Sequence, residues 1–386
     1  MRRLLSIAIL GILCNVAEAQ SSVILYGIVD VGLSYVNNTV SGGHSGSQVS
    51  MASGNVQGDR WGLRGTEDLG GALKALFVLE GGMTVNNGAL AQGGDLFGRQ
   101  AYVGISSALG TVTLGRQYDS VVDYTAVFAS TSQWSSRYGS HPGNLDNNLP
   151  AYLVNNSIKY TSRPYRGIIF GGVFGFGGVP GEFSRNSIWS AGVGYAHGPF
   201  SAGIAYININ YPNYSFFGNN ANSSATGSNM ASSAVISGYA SAAKQQVLTS
   251  GLAYVIGGVT LGATYSNVQF KRIGTLPELP AMGIGGDARF HNVEFNFKYR
   301  VTPFLLVGIA HNYMQGYGVN NAKYNQTMCG FDYFLSKRTD LYLVGVYQHA
   351  SGIDSTGRRA VANISTLSPS STANQTIGAL GIRQKF

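Results

Sequence analysis

Between Ser22 and Tyr35 the odd positions Val23, Leu25, Val29, Val31, Leu33 and Tyr35 are apolar or aromatic, while the even ones include Asp30, Gly32 and Ser34. Successive side chains of a strand point to opposite faces, so this period of two predicts one apolar and one mixed face. The contrast is sharper at 291–300, where Val293, Phe295, Phe297 and Tyr299 alternate with Asn292, Glu294, Asn296, Lys298 and Arg300. The pattern recurs between turn signals and predicts strands at 23–36, 56–68, 71–81, 97–107, 110–117, 155–163, 166–174, 188–197, 199–209, 246–256, 258–270, 289–301, 303–314, 324–335, 339–348 and 375–386. Their connections alternate in length. Seven are short, such as Leu69-Gly70-Gly71 and Thr302-Pro303, and eight are long and rich in Asn, Ser and Gly, so fifteen connections join sixteen strands.

Strands of this length match the ~9 to 11 residues that cross a bilayer at a tilt. Unsatisfied backbone groups are costly in lipid, so a sheet there must close on itself. The expected fold is therefore all-β: a transmembrane antiparallel β-barrel of 16 strands. A secreted two-layer sandwich also alternates, but it has no reason to keep its long loops at one end. Aromatic residues near predicted strand ends, Tyr26, Tyr35, Trp61, Tyr160, Trp189, Tyr265 and Tyr299, suit the two membrane interfaces.

The first residues place Arg2 and Arg3 before an apolar run from Leu4 to Leu13, then Ala17-Glu18-Ala19. That three-part pattern predicts a cleaved export signal at 1–19 and a barrel at 20–386, the apolar run being too short to span a membrane. Export changes how the composition reads. Lys and Arg number 25 against 17 Asp and Glu, for a formal net charge of +8. An exported chain seldom meets nucleic acid, so the basic excess points to an anion-favouring inner surface or to lipopolysaccharide phosphates. With Cys14 in the signal, Cys329 can form no internal disulfide, and no zinc-type cluster exists. No cofactor is expected. The histidines His44, His141, His197, His291, His311 and His349 stand in no motif with a serine and an acid, so an enzyme is not expected. Gly171-Gly172 and Phe176-Gly177-Gly178 lack the helix that a phosphate cradle needs and suit close backbone approach instead. The polar run 219–233 reads as a solvated loop.

One stretch breaks the strand rhythm. From Tyr118 to Val154 no period of either kind is sustained, and a structureless insert of that length is usually functional. Around it the chain resembles the trimeric general-diffusion porins of Gram-negative outer membranes. The resemblance is carried by LYGIVDVGLSY at 25–35, DRWGLRGTEDLGGALKALFVLE at 59–80, LFGRQAYVGISSALGTVTLGRQYDSVVDY at 96–124, LSKRTDLY at 335–342 and IGALGIRQKF at 377–386. It implies a homotrimer in the outer membrane, in contact with lipid and lipopolysaccharide, and a third long loop folded into the lumen. It also likens the amphipathic last strand ending in Phe386, with Leu380 and Ile382 on the same face, to the signal read by the barrel assembly machinery.

Parity on the second strand sends Arg60 and Arg64 inward opposite to Trp61 and Leu63, and on the third it sends Lys74 and Glu80 inward. A cation facing lipid would cost ~2 to 4 kcal/mol near the midplane, which favours the same placement. The resemblance implies that Arg60, Arg99 and Arg116, with Arg64, form the basic side of a constriction. The loop offers Asp119, Asp123 and Asp146, with Arg137 and His141 opposing them in sign. A second reading pairs Arg116 with Asp119 or Asp123 as a loop anchor. There are two departures from the family. The enteric porins carry a Pro-Glu-Phe-Gly-Gly tip where this chain has AVFASTSQWSS without an acid, and Leu153 to Asn155 lack a further basic group. The expected function is passive diffusion of small hydrophilic solutes and ions with a mild anion preference. A substrate-specific channel and a surface adhesin barrel are the alternatives.

Overall fold

A computed structural model describes residues 22–276, 279 and 285–386; the expected signal at 1–19 lies outside the described residues. Sixteen antiparallel staves form one closed barrel. They are β1 (Ser22–Ser41), β2 (two segments, His44–Ser53 and Arg60–Gly70), β3 (Leu73–Thr84), β4 (Gln100–Ser107), β5 (Gly110–Gln117), β6 (Val154–Thr161), β7 (Ile168–Gly175), β8 (Ile188–His197), β9 (Phe200–Asn210), β10 (Lys244–Ile256), β11 (Val259–Ile273), β12 (Gly286–Thr302), β13 (Leu305–Gly318), β14 (Lys323–Phe334), β15 (Thr339–Ser351) and β16 (Asn374–Lys385). Each stave pairs with its neighbours in sequence, and β16 returns to β1 with Val36 opposite Ile377 and Ile28 opposite Lys385. The seam ends where Gly27 and Phe386 exchange backbone hydrogen bonds of 3.1 Å. Such closure leaves no open edge, as lipid requires, and excludes the sandwich.

Both segments of β2 pair with β1, the first along its upper half toward the long loops and the second along its lower half. The connection expected at 37–55 is thus mostly strand. It turns at Gly42 and Gly43, whose φ of 57° and 82° are the left-handed values a tight hairpin demands. Residues 37–50 carry so little apolar character that alternation gave no sign of this hairpin. The break at 54–59 is held by Asp30, whose Oδ2 accepts the Val56 and Gln57 N–H groups at 2.7 and 2.8 Å.

Alternation sorts the two faces as expected. Leu25, Leu33, Val103, Ile105, Leu114, Phe295, Ile309, Phe331, Leu343 and Leu380 are exposed on the outside, whereas Asp30, Ser34, Thr113, Ser190, Gln245, Glu294, Asn312 and Gln326 are buried on the inside. Tyr35, Tyr160, Trp189 and Tyr299 are exposed outer rings. Tyr26 is not among them: it shares the even face of β1 with Asp30, and its hydroxyl donates to Glu80 Oε2 at 3.0 Å. At the C-terminus Leu380, Ile382 and Phe386 are exposed together while Arg383 is buried between Asp332 and Asp340, at 3.1 and 2.9 Å.

The connection 211–243 is more than a solvated loop. Its 221–226 stretch is exposed, but Phe216, Phe217, Met230, Val235, Ile236 and Tyr239 belong to a buried apolar cluster with Val268, Phe270, Phe290, Met314 and Tyr324 of β11–β14. Among the described residues, no helix is long and apolar enough to cross a membrane.

Candidate functional site

Tyr26, Arg60, Arg64 and Glu80 converge because the registers of β1, β2 and β3 set them on one face. Tyr26 lies opposite Gly62, Gly62 opposite Glu80 and Arg60 opposite Gly82. Arg99, just before β4, places Nε 2.8 Å from Glu80 Oε1 and donates from Nη2 to the Tyr118 hydroxyl at 2.8 Å. Glu80 is therefore fully engaged, by Arg99 on one oxygen and Tyr26 on the other. Arg60 lies in the electrostatic field of Arg99, Glu80, Tyr118 and Tyr26, and the Arg64 guanidinium carbon sits 5.3 Å over the Tyr26 ring. Neither Arg60 nor Arg64 is ion-paired among the described residues. Lys74 lies near the short-turn end of β3, opposite Asp68 of β2.

The segment between β5 and β6 folds as a chain of short turns, α1 (Ser120–Tyr124) followed by single 3-10 turns at Ala126–Phe128, Ser130–Ser132, Arg137–Gly139 and Pro142–Asn144. Asp119 caps α1: its Oδ1 accepts the Val121 and Val122 N–H groups at 2.7 and 3.3 Å, and its Oδ2 accepts from Asn147 Nδ2 at 2.7 Å. Burial nevertheless pushes its carboxyl up to about 6. Farther along, the segment meets the polar faces of several staves. Ser120 bonds Ser190 of β8, Thr125 bonds Thr249 of β10 at 2.7 Å, and the Phe128 carbonyl accepts from Asn296 of β12 at 2.8 Å. Ser130 donates its N–H and hydroxyl to Glu294 of β12 at 2.7 and 3.0 Å. The Ser140 carbonyl accepts from Gln326 of β14 at 3.0 Å. The run ends at the break in β2, where Arg137 N–H and Tyr138 hydroxyl donate to Asn55 at 2.9 and 2.8 Å.

Glycines seat the rings of this segment. A Cβ on Gly192 would lie 2.4 Å from the Tyr124 ring, one on Gly251 2.6 Å from Phe128, and one on Gly308 2.3 Å from Trp134. Close approach, which the sequence suggested for other glycines, is thus the use of these inward ones.

Of the predicted acids, none is left free. Asp123 pairs with Lys159 of β6, whose ammonium also donates to the Tyr118 carbonyl at 3.1 Å. Burial raises the Asp123 pKa against the pull of Lys159. Asp146 accepts from His141 Nδ1 at 2.7 Å, Ser266 Oγ at 2.6 Å and Asn148 Nδ2 at 3.0 Å, with Glu294 3.6 Å from His141 Nε2. Burial alone would lower the His141 pKa, but the two carboxylates outweigh it and raise the ring to about 10. Burial likewise works against the Asp146 anion, yet His141 and the hydrogen bonds hold it at about 2.

Arg116 does not join Arg60 and Arg99, nor does it pair with Asp119 or Asp123. It follows Val112 and Leu114 on the outward parity of β5, and a bulge between Gly115 and Gln117 shifts the register beside it. Its guanidinium instead donates to the Gly98 and Asn219 carbonyls at 2.8 and 2.9 Å and to Asn155, tying the 211–243 connection to the wall. Lys159 was missed by sequence reasoning, although it lies opposite inward Thr113 of β5 and Val173 of β7. Arg137 lies with its guanidinium carbon 5.2 Å over the Tyr138 ring, and it lines a cavity of about 400 Å³ together with Arg99, Gln48 and Asp59. The Asp59 carboxylate there is engaged by Ser53 and the Asp30 N–H.

A closed antiparallel barrel, apolar outside and polar inside, with arginines gathered on its inner wall, is the architecture of an outer-membrane channel. The chain belongs to the Gram-negative porin family, whose model matches residues 6–352. It is 29% identical to an outer membrane porin protein of Bordetella pertussis over 378 residues, covering 90% of this chain and 94% of that one. It is also 29% identical to outer membrane porin protein 32 of Delftia acidovorans, covering 88% and 87% of the two chains. Among solved structures it is similar to the anion-selective porin from Comamonas acidovorans, with a TM-score of 0.73 at 23% identity, covering 95% of this chain and 100% of that one. Its place is the Gram-negative outer membrane and its activity passive diffusion.

Proposed function

We propose that the pore is weakly anion-selective and that the 118–154 segment lies in its lumen and sets its width. One observation carries the selectivity: the segment's carboxylates Asp119, Asp123 and Asp146 are each consumed by a cap, a lysine or a histidine, whereas Arg137 lines the same cavity as Arg99. The constriction then has cations on both sides, with Arg60 and Arg64 unpaired behind Arg99. Supporting the lumenal placement, the wall partners of the segment alternate with outward apolar residues, Ser190 beside Trp189 and Glu294 beside Phe295. The name of the Comamonas porin agrees with the sign. The work is size exclusion plus an electrostatic bias, with no chemical step.

The same reading includes removal of residues 1–19 on export, acceptance of the strand ending in Phe386 by the barrel assembly machinery, contact with lipopolysaccharide, and assembly as a homotrimer, a form recorded for OmpT of Vibrio cholerae. Liposome swelling with neutral sugars of graded size tests the diffusion mode. A smooth size cut-off is expected; saturation would make this a substrate-specific channel, and no flux would leave an adhesin barrel.

A further inference from the structure

Asp30 of β1, Asn55 in the break of β2, Tyr342 of β15 and Tyr138 of the 118–154 segment are all buried, and one chain of hydrogen bonds runs through them. The Tyr342 hydroxyl donates to Asp30 Oδ1 at 2.6 Å, Asn55 Nδ2 donates to the Tyr342 hydroxyl at 2.9 Å, and the Tyr138 hydroxyl donates to Asn55 Oδ1 at 2.8 Å. The direction of each bond follows from the end of the chain. An ionised carboxylate only accepts, so Tyr342 spends its one proton on Asp30 and accepts from the Asn55 amide, which leaves the amide oxygen for Tyr138. Tyr342 reaches β1 across the intervening β16 because Gly381 stands opposite it, where a Cβ would collide with the Tyr342 hydroxyl.

Asn55 grips the Arg137–Gly139 turn twice, since its carbonyl also accepts the Arg137 N–H at 2.9 Å. That grip meets a strained backbone. Ser136, the residue before Arg137, has φ 65° and ψ 176°, a conformation that suits glycine, and a side-chain-bearing residue stays there only where its surroundings over-determine it. The Arg137 side chain does not place itself: among the described residues it has no ion pair, and its buried Nε has no hydrogen-bond partner. Its guanidinium carbon rests 5.2 Å over the Tyr138 ring, so the ring that the chain of bonds fixes also carries the charge.

We propose that Asp30, Tyr342 and Asn55 are positioning residues that fix Arg137 in the constriction and so set the strength of the anion preference. The inference rests on the reading that the 118–154 segment lies in the lumen with Arg137 on the solute path. Asp30 also accepts the Val56 and Gln57 N–H groups at 2.7 and 2.8 Å, so one carboxylate shapes the β2 break and, through Tyr342, orients the Asn55 amide. Loss of one bond of this relay lowers the ratio of docked to released turn on the order of fivefold. A released Ser136 relaxes out of its strained conformation and takes the guanidinium with it.

Single-channel reversal potentials in a potassium chloride gradient test the relay, with Tyr342→Phe measured in the native and in the Arg137→Gln background. The substitution removes a hydroxyl and no charge. In the native background it should move the potential in the direction that Arg137→Gln moves it, by part of that shift, and raise excess open-channel noise on the order of fivefold. In the Arg137→Gln background it should leave the potential where it is, because a positioning residue acts through the group it positions. Tyr138→Phe cuts the relay at its other end, keeps the ring under Arg137, and should give the same pair of results. An unmoved native-background potential in either variant that folds, with Arg137→Gln moving it, would overturn the relay alone. Shifts of equal size in the two backgrounds would also overturn it, since the hydroxyls would then act without Arg137. If Arg137→Gln itself leaves the potential unmoved, the reading of Arg137 as part of the solute path falls, and the relay with it.

Discussion

Glu294 is the residue on which the 118–154 segment leans most. It accepts two hydrogen bonds from Ser130 and one from Asn296, and it faces His141 across 3.6 Å. Glu294→Gln turns one acceptor into a donor facing a donor, at a cost of about 1 to 3 kcal/mol for the unsatisfied group. Thermal unfolding should shift down and open-channel noise should rise; native behaviour of the variant would show that Ser130 is held elsewhere. The His141–Asp146 pair predicts a pH dependence. His141 has its pKa raised from 6.5 to about 10, so its contribution is complete below pH 6.5 and is lost as pH rises through 10. Asp146 is lowered from 3.8 to about 2, so its contribution is present above pH 3.8 and is lost as pH falls through 2. Asp119, raised by burial to about 6, acts oppositely and weakens anchorage as pH climbs from 3.8 to 6. Channel noise recorded against pH should rise near pH 10, and His141→Gln should abolish that rise. An unaltered rise in the variant would assign it to another group.

At the scale of elements, the sixteen staves were legible because lipid on one side and water on the other force a period of two. Where that contrast fades the pattern fails, as in the β1–β2 hairpin, where residues 37–50 carry little apolar character. Arg116 was misplaced for a related reason: family position suggested the lumen, but parity with Val112 and Leu114 turns it outward beside a bulge. The contacts of the 118–154 segment were not legible, since they link it to β8–β14 across many residues of sequence. Inward glycines such as Gly192, Gly251 and Gly308 are the trace such packing leaves in a sequence. Deleting Ser130–Asn144 removes the bonds to Glu294 and Gln326 and the Trp134 seat. Single-channel conductance should rise while the barrel still folds, and unchanged conductance would remove the segment from the pore.

For the whole molecule, the formal net charge of +8 says less than where the charges are consumed. Arg383 is spent on Asp332 and Asp340, Lys159 on Asp123 and His141 on Asp146, all inside the protein. Among the described residues, Arg60 and Arg64 of the wall and Arg137 of the 118–154 segment have no ion pair, while Arg99 is shared with Glu80. Selectivity should therefore depend on a few arginines and weaken as salt screens them over a Debye length of about 10 Å at 0.1 M. The reversal potential of single channels in a potassium chloride gradient measures this directly. The native protein should give the sign of a chloride preference, and Arg99→Gln/Arg137→Gln should move the potential toward zero; a potential of the potassium sign in the native protein would contradict the account.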